Sequence, residues 1–351
     1  TGEILAMVSS PAYDPNQLTI SNNDRGEAYQ NLTTDSLKPF LNRAVMAQYP
    51  PGSLFKTVVA LIGLQEGVWP VDRTVACRGG YTLGGRVLTG CHGHPTCTSV
   101  RSAIQHSCNA YFVSMFLEVI DMEGAYNPEK GLRTFNRYLD RMGFGRQLGV
   151  DFPYEQPGNY PTADYYSKVL YKDEIWKSVW IRSLGIGQGE LLMTNIQLAN
   201  LAATIANRGY YYIPHIIKDY KDSERKIPKQ YRERHYIGID QQHFEPVVDG
   251  MESAVTAGTA RLAYIPDIAV CGKTGTAENP HGKDHSIFFC FAPKDDPQIA
   301  VAVYVENAGF GGTFAAPIAS LLVEQYINKG ISDRRKWIEQ RMLNADLIEG
   351  L

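Results

Sequence analysis

No run of apolar residues in the 351-residue chain reaches the roughly 18 that a membrane-spanning helix needs, which excludes such a helix within it. Charge of one sign is lacking as well. The 34 Lys and Arg against 37 Asp and Glu leave a net charge of −3, and no basic stripe interleaved with aromatics is present. Nucleic-acid binding is therefore not expected. Neither internal repeats nor low-complexity tracts appear, and 44% hydrophobic with 20% charged residues excludes a disordered chain. No secretory leader opens the sequence. Its first residues, Thr1-Gly2-Glu3-Ile4-Leu5-Ala6-Met7-Val8, read as a strand already under way. The expectation is a longer protein whose anchoring segment lies upstream.

What is present divides into stretches of different character. An opening strand from Glu3 to Ser9 ends at Pro11 and the turn-forming Asp14-Pro15-Asn16. After a polar stretch to Lys38, Tyr49-Pro50-Pro51-Gly52-Ser53 leads into Leu54–Leu64, apolar almost all round and so a buried helix, with Gly67 as its stop. Residues 68–98 are rich in Gly, Cys and His and lack periodicity, as in an irregular, stapled excursion. Helix is expected from about Ser99 through Leu117, at 129–142 and from Thr194 to Asn207. The tract 152–166 reads as a loop, and the charged run 219–235 as a solvated loop or edge hairpin. Strands at Ile268–Cys271, Ser286–Ala292 and Ile299–Val305, joined by short links, predict an antiparallel meander closed by a helix at about 315–329. The fold class expected is α+β, a mainly antiparallel sheet flanked by helices plus an all-helical subdomain. The sheet part should take about 1–50 and 245–351, the helical part about 53–240.

Three short patterns carry chemistry. Ser53-x-x-Lys56 sits at a helix start, where the hydroxyl meets the positive dipole end and free N–H groups, and residues three apart share a face. A lysine there can serve as a base if burial keeps it partly neutral. The plain alternative is a capping serine and a solvated lysine, yet Lys56 lies within an apolar helix, where a charge needs a partner or a task. Ser107-Cys108-Asn109 can present a hydroxyl and an amide to one cleft, or simply cap a helix. Gly272-Lys273-Thr274-Gly275-Thr276 follows a predicted strand. Lys273 and Gly275 should face one side and Thr274 and Thr276 the other, and the Thr276 N–H can share an oxyanion hole with that of Ser53. The spacing of a phosphate-binding P-loop is missing.

Taken in order, S-x-x-K, S-x-N and K-T-G form the signature set of penicillin-binding proteins and serine β-lactamases. Over nearly its whole length the chain resembles a class B penicillin-binding protein of the elongation-specific type, with the β-lactamase/transpeptidase-like fold. Gly187-Gln188-Gly189-Glu190 with Thr194 and Gln197, and Thr256-Ala257-Gly258-Thr259-Ala260, resemble further stretches of that family; many relatives have Pro where this chain has Asn195. The resemblance implies a peptidoglycan D,D-transpeptidase. Ser53 would be its nucleophile, Lys56 the base, and Ser107, Asn109 and Lys273 proton or substrate handlers, with Thr274, Gly275 and Thr276 binding substrate. It implies β-lactams as inhibitors, no cofactor for catalysis, a site at the periplasmic face of the inner membrane with an N-terminal anchor and pedestal, and a polytopic membrane glycosyltransferase as partner. No E-x-x-L-N segment lies between Asn109 and Lys273, which disfavours a β-lactamase. A D,D-carboxypeptidase and a non-turnover β-lactam sensor stay open.

Four of six cysteines cluster: Cys77, Cys91, Cys97 and Cys108, with His92 and His94 among them. They fit a structural zinc with four thiolates, two disulfides, or free thiols. The elongation-type resemblance implies a metal between the excursion and the middle residue of the second motif, here Cys108. Cys271 and Cys290 read as buried apolar residues. His285 reads as a surface turn or a cleft-edge residue.

Overall fold

The structure is a computed structural model and describes residues 1–124, 127–172, 174–221, 226–280 and 282–348. Its centre is α2 (Lys56–Gln65), in which nine of ten residues are buried. Before it lies α1 (Arg25–Thr34), a polar helix with no buried residue. After it come the hairpin β1 (Gly80–Leu83) and β2 (Arg86–Gly90), then α3 (Val100–His106) and α4 (Asn109–Asp121). The helical region expected from 99 to 117 is thus two helices, broken at Ser107-Cys108. α4 packs along α2, and Gly63 makes room for Met115 at the crossing. α5 (Pro128–Arg141) packs on α4 in turn. α6 (Asn195–Ala206) begins with a capping box between Thr194 and Gln197.

A short pair, β3 (Tyr210–Tyr211) and β4 (His235–Tyr236), brackets the charged run, of which 222–225 lie outside the described residues. α7 (Phe244–Ala257) then leads to a three-stranded antiparallel sheet of β5 (Cys271–Ala277), β6 (His285–Ala292) and β7 (Ile299–Val305). α8 (Ala315–Asn328) and α9 (Lys336–Leu343) close the chain.

Strand periodicity explains how this sheet is covered on both faces. Ile287, Phe289 and Phe291 of β6 face the main core, with Ala300, Ala302 and Tyr304 of β7 beside them. Their neighbours Phe288, Cys290 and Ala292 face a second core built with Ala315, Ala316, Ala319 and Val323 of α8. Cys271 joins the first core and Cys290 the second, so both are buried, on opposite faces. Two expectations need correction. The third motif does not follow a strand; it is the strand, β5. The opening segment forms no strand from Glu3 to Ser9: only Glu3 bridges to His215, and Leu5 and Val8 remain exposed. Among the described residues no helix is long and apolar enough to cross a membrane.

Candidate active site

Ser53 lies in a single 3₁₀ turn, Gly52–Phe55, that feeds directly into α2. Gly52 has φ +54°, and a Cβ there would stand 2.6 Å from the Thr276 carbonyl oxygen. Only glycine lets the serine turn close onto β5 in this way. One turn on, Lys56 is fully buried. Its Nζ donates to the Ser107 carbonyl at 2.7 Å, the Ser107 Oγ at 3.0 Å and the Asn109 Oδ1 at 2.5 Å. Three N–H groups thus meet three acceptors, all of them in the second motif, and Ser53 Oγ is not one of them.

Lys273 reaches the same place from the sheet. It is also fully buried, and its Nζ donates to Ser107 Oγ at 2.9 Å and to the Thr274 carbonyl at 2.8 Å. A hydroxyl has two lone pairs and one hydrogen. With a lysine on each lone pair, Ser107 has only its hydrogen left to give. Two amines this close and this dry cannot both hold a proton cheaply. Burial pushes Lys56 down to about 8, with the nearby sulfurs of Cys91, Cys108 and Cys97 pulling the other way. Burial, and then the charge on Lys56, holds Lys273 well below the ordinary lysine range.

The break between α3 and α4 is what aims Ser107. It caps α3 with φ +55° and ψ +42°, the left-handed region. A non-glycine residue there costs about 1 kcal/mol or more, which the two lysine contacts offset. Asn109, the first residue of α4, is clamped on both sides: its Oδ1 accepts from Lys56, and its Nδ2 donates to the Gly90 carbonyl at 2.6 Å. One Nδ2 hydrogen is left for a ligand. On β5, Lys273 and Gly275 share a face as the alternation requires, and the Thr274 hydroxyl on the other face meets Thr259 Oγ1 at 2.7 Å. Sequence reasoning gave Thr259 no role, and a lone threonine partner leaves no pattern to find.

Behind Asn109 stand the cysteines. All six are free thiols. The Cys77, Cys91 and Cys108 sulfurs and a His94 ring nitrogen lie within 4.8 Å of one another. Cys91 Sγ is 3.1 Å from His94 Nε2, and Asn109 N–H donates to Cys91 Sγ at 3.2 Å. Cys97, expected among the four ligands, is buried at the edge of the group with its sulfur 3.8 Å from His94 Nδ1. Ligands around a tetrahedral zinc with bonds of about 2.3 Å stand about 3.8 Å apart, so this donor set fits such an ion after small shifts in both directions. Cys108 also occupies the N-cap of α4, accepting from Tyr111 N–H at 3.4 Å. Sulfur is a poor acceptor where Ser or Asp would cap better, which favours metal binding over capping as the reason for cysteine here.

Two histidines lie elsewhere. His92 meets the exposed Phe310 edge-on at 5.8 Å. His285 is not in a surface turn: it opens β6, half-buried between Tyr49 and Tyr304, and accepts from Asn307 N–H at 3.0 Å.

Comparisons with known proteins bear on the family. Residues 1–324 match the family described as penicillin binding protein transpeptidase domain. The chain is 31% identical to the peptidoglycan D,D-transpeptidase MrdA of Acinetobacter baumannii over 93% of its own length, but spans only 49% of that relative. Among solved structures it is similar to penicillin-binding protein 2 of Pseudomonas aeruginosa in complex with WCK 5153, with TM-score 0.80, 31% identity, and 95% of this chain and 71% of that one covered. It is also similar to the ceftriaxone acyl-enzyme complex of penicillin-binding protein A of M. tuberculosis, with TM-score 0.74, 27% identity, and 93% and 72% covered. A family match across nearly the whole chain, over motifs that converge on one hydroxyl, makes this chain a member of the penicillin-binding protein transpeptidase family.

Proposed function

We propose that the chain is the catalytic domain of a peptidoglycan D,D-transpeptidase, with Ser53 as nucleophile. The observation that carries this reading is the shared bonding of Lys56 and Lys273 to Ser107 Oγ, at 3.0 and 2.9 Å. It joins three motifs from distant parts of the chain beside the Ser53 turn. The site lies where the helical subdomain, about 53–240, meets the sheet subdomain, about 1–50 and 245–351.

The reaction runs in two halves. Ser53 Oγ bonds to the penultimate D-Ala carbonyl carbon of a stem peptide, and its proton passes to neutral Lys56. The oxyanion rests on the Ser53 and Thr276 N–H groups. Collapse breaks the C–N bond, and the departing D-Ala amine takes a proton delivered through Ser107. The amine of a second stem peptide then attacks the ester, loses its proton along the same chain of groups, and Ser53 leaves as the hydroxyl. Asn109 holds a substrate amide, Lys273 orients the substrate carboxylate, Thr274 and Thr276 bind the substrate, and Gly275 lets the substrate backbone approach. A β-lactam enters the first half and stalls in the second.

Cys77, Cys91 and Cys108, with His94 or Cys97 as the fourth ligand, would hold a structural zinc. Its task is to cross-link the excursion to the start of α4 and so fix Asn109; catalysis itself needs no cofactor. The working place is the periplasmic face of the inner membrane, beside a membrane glycosyltransferase of the elongation machinery. The test is incubation with stem-peptide donor and acceptor. Cross-linked dimer and free D-Ala should appear in equal amounts. Release of D-Ala to water alone would mean a carboxypeptidase, and a stable adduct without product a sensor.

A further inference from the structure

The Gly187-Gln188 pair stands outside all three motifs, yet it touches both halves of the oxyanion hole proposed above. Gly187 ends a 3₁₀ stretch, Ser178–Ile186, in the left-handed region with φ +74°. Its carbonyl accepts the Gly52 N–H at 2.9 Å, and a Cβ on Gly187 would fall 2.0 Å from the Gly52 carbonyl oxygen. Gly52, the residue that leads into the Ser53 N–H, is therefore hydrogen-bonded through its N–H and closely packed at its carbonyl by residue 187. The next residue turns to the opposite wall. Gln188 Nε2 donates to the Thr276 carbonyl at 3.3 Å, while its own N–H is tied to the Ser183 carbonyl at 3.1 Å.

The direction of that carbonyl matters. In an antiparallel ladder a residue's N–H and C=O point to the same edge of its strand. The Thr276 carbonyl points away from β6, toward Gly52 and Gln188, and the Thr274 carbonyl points the same way, to Lys273. The Thr276 N–H therefore also lies on the open edge of β5, where the substrate oxygen must come. Rotation of the Thr276 backbone would swing carbonyl and N–H together. A donor on the carbonyl resists that rotation.

We propose that Gln188 is a positioning residue for catalysis, holding the Thr276 backbone so that its N–H and the Ser53 N–H stay aimed at one point. Residues 187 and 188 then act as a staple between the nucleophile turn and the third-motif strand. The inference rests on the Ser53 acylation reading and deepens it. Because the staple acts on a developing oxyanion, it should appear in the bond-forming step and leave first binding unchanged.

The test is stopped-flow acylation by a fluorescent penicillin, separating the dissociation constant of the first complex from the acylation rate constant, with thermal melting as a check on folding. Gln188→Ala should slow acylation roughly tenfold or more, with the dissociation constant changed less than about threefold. Gln188→Glu decides between positioning and mere space filling. It keeps the shape but sets carboxylate oxygens against the Thr276 carbonyl, so it should acylate no faster than Gln188→Ala. A glutamate variant with wild-type acylation would overturn the proposal and leave a packing role. If the alanine variant fails to melt cooperatively, the glutamate variant alone carries the decision. Absence of any adduct on the unmodified chain would bring down the Ser53 reading, and this inference with it. A normal adduct with an unaffected glutamate variant brings down this inference alone.

Discussion

The cleft has two walls, and they are held up by different physics. The β5 wall is buried along six of its seven residues and paired in register with β6 from end to end. Apolar cores on both faces fix it, so Lys273 is carried in by packing and ladder hydrogen bonds. The wall behind Asn109 is the hairpin β1–β2 and the cysteine excursion, in which only Gly80 of the strand residues is buried. It offers too little apolar area to order itself against chain entropy. With the proposed zinc bound, its order would come from the Cys77, Cys91, His94 and Cys108 group together with the clamp on Asn109. One wall is self-supporting; the other would depend on the proposed zinc cross-link.

The contrast can be broken or sharpened by experiment. The largest effect is expected at the self-supporting wall's own functional group: Lys273→Ala should lower the β-lactam acylation rate about 10²- to 10⁴-fold, measured by stopped flow, and added zinc should not restore it. Next comes pH. Lys56 must lose a proton to act, and burial sets that loss near 8. Acylation should rise about tenfold per unit as pH approaches 8 from below and level off above it; a flat profile across that range would remove Lys56 as the base. At the dependent wall, Cys108→Ala or exhaustive chelation should lower the melting temperature by several degrees and slow acylation less than Lys273→Ala does. For chelation, zinc should reverse both changes. The smallest effect on chemistry is expected from Gly272→Ala. Its Cβ would lie 2.3 Å from the Phe288 ring, so calorimetry should show a loss of about 1–3 kcal/mol, indifferent to zinc.

These walls were unequally legible in the sequence. Strand β6 stood out because both its faces are buried, and β7 because both its faces pack against a core, which gives near-continuous apolar runs bounded by turn residues. Ser53 and Lys56 stood out because a lysine in an apolar helix is conspicuous, and Lys273 because of the two glycines beside it. The helix α1 was missed because none of its residues is buried, so no apolar stripe marks it. The opening strand was overread: alternation between apolar and other residues says that a segment can pair, not that an edge is there to receive it. His94 stands in the tight donor group with Cys77, Cys91 and Cys108 because donor geometry is set by how the excursion folds back, which irregular spacing does not encode. Gln188 and Thr259 lay in stretches that resemble the family but were given no role, for a related reason. A side chain that bonds a carbonyl or a single hydroxyl elsewhere in the chain imposes no periodicity.

The account stands on the Ser53 hydroxyl at the mouth of α2, one turn before Lys56, which meets Lys273 on Ser107. Peptide mapping by tandem mass spectrometry after penicillin treatment examines it most directly. The account predicts a single penicilloyl adduct, on Ser53, absent from Ser53→Ala. An adduct on any other residue, or one that persists in that variant, would contradict it.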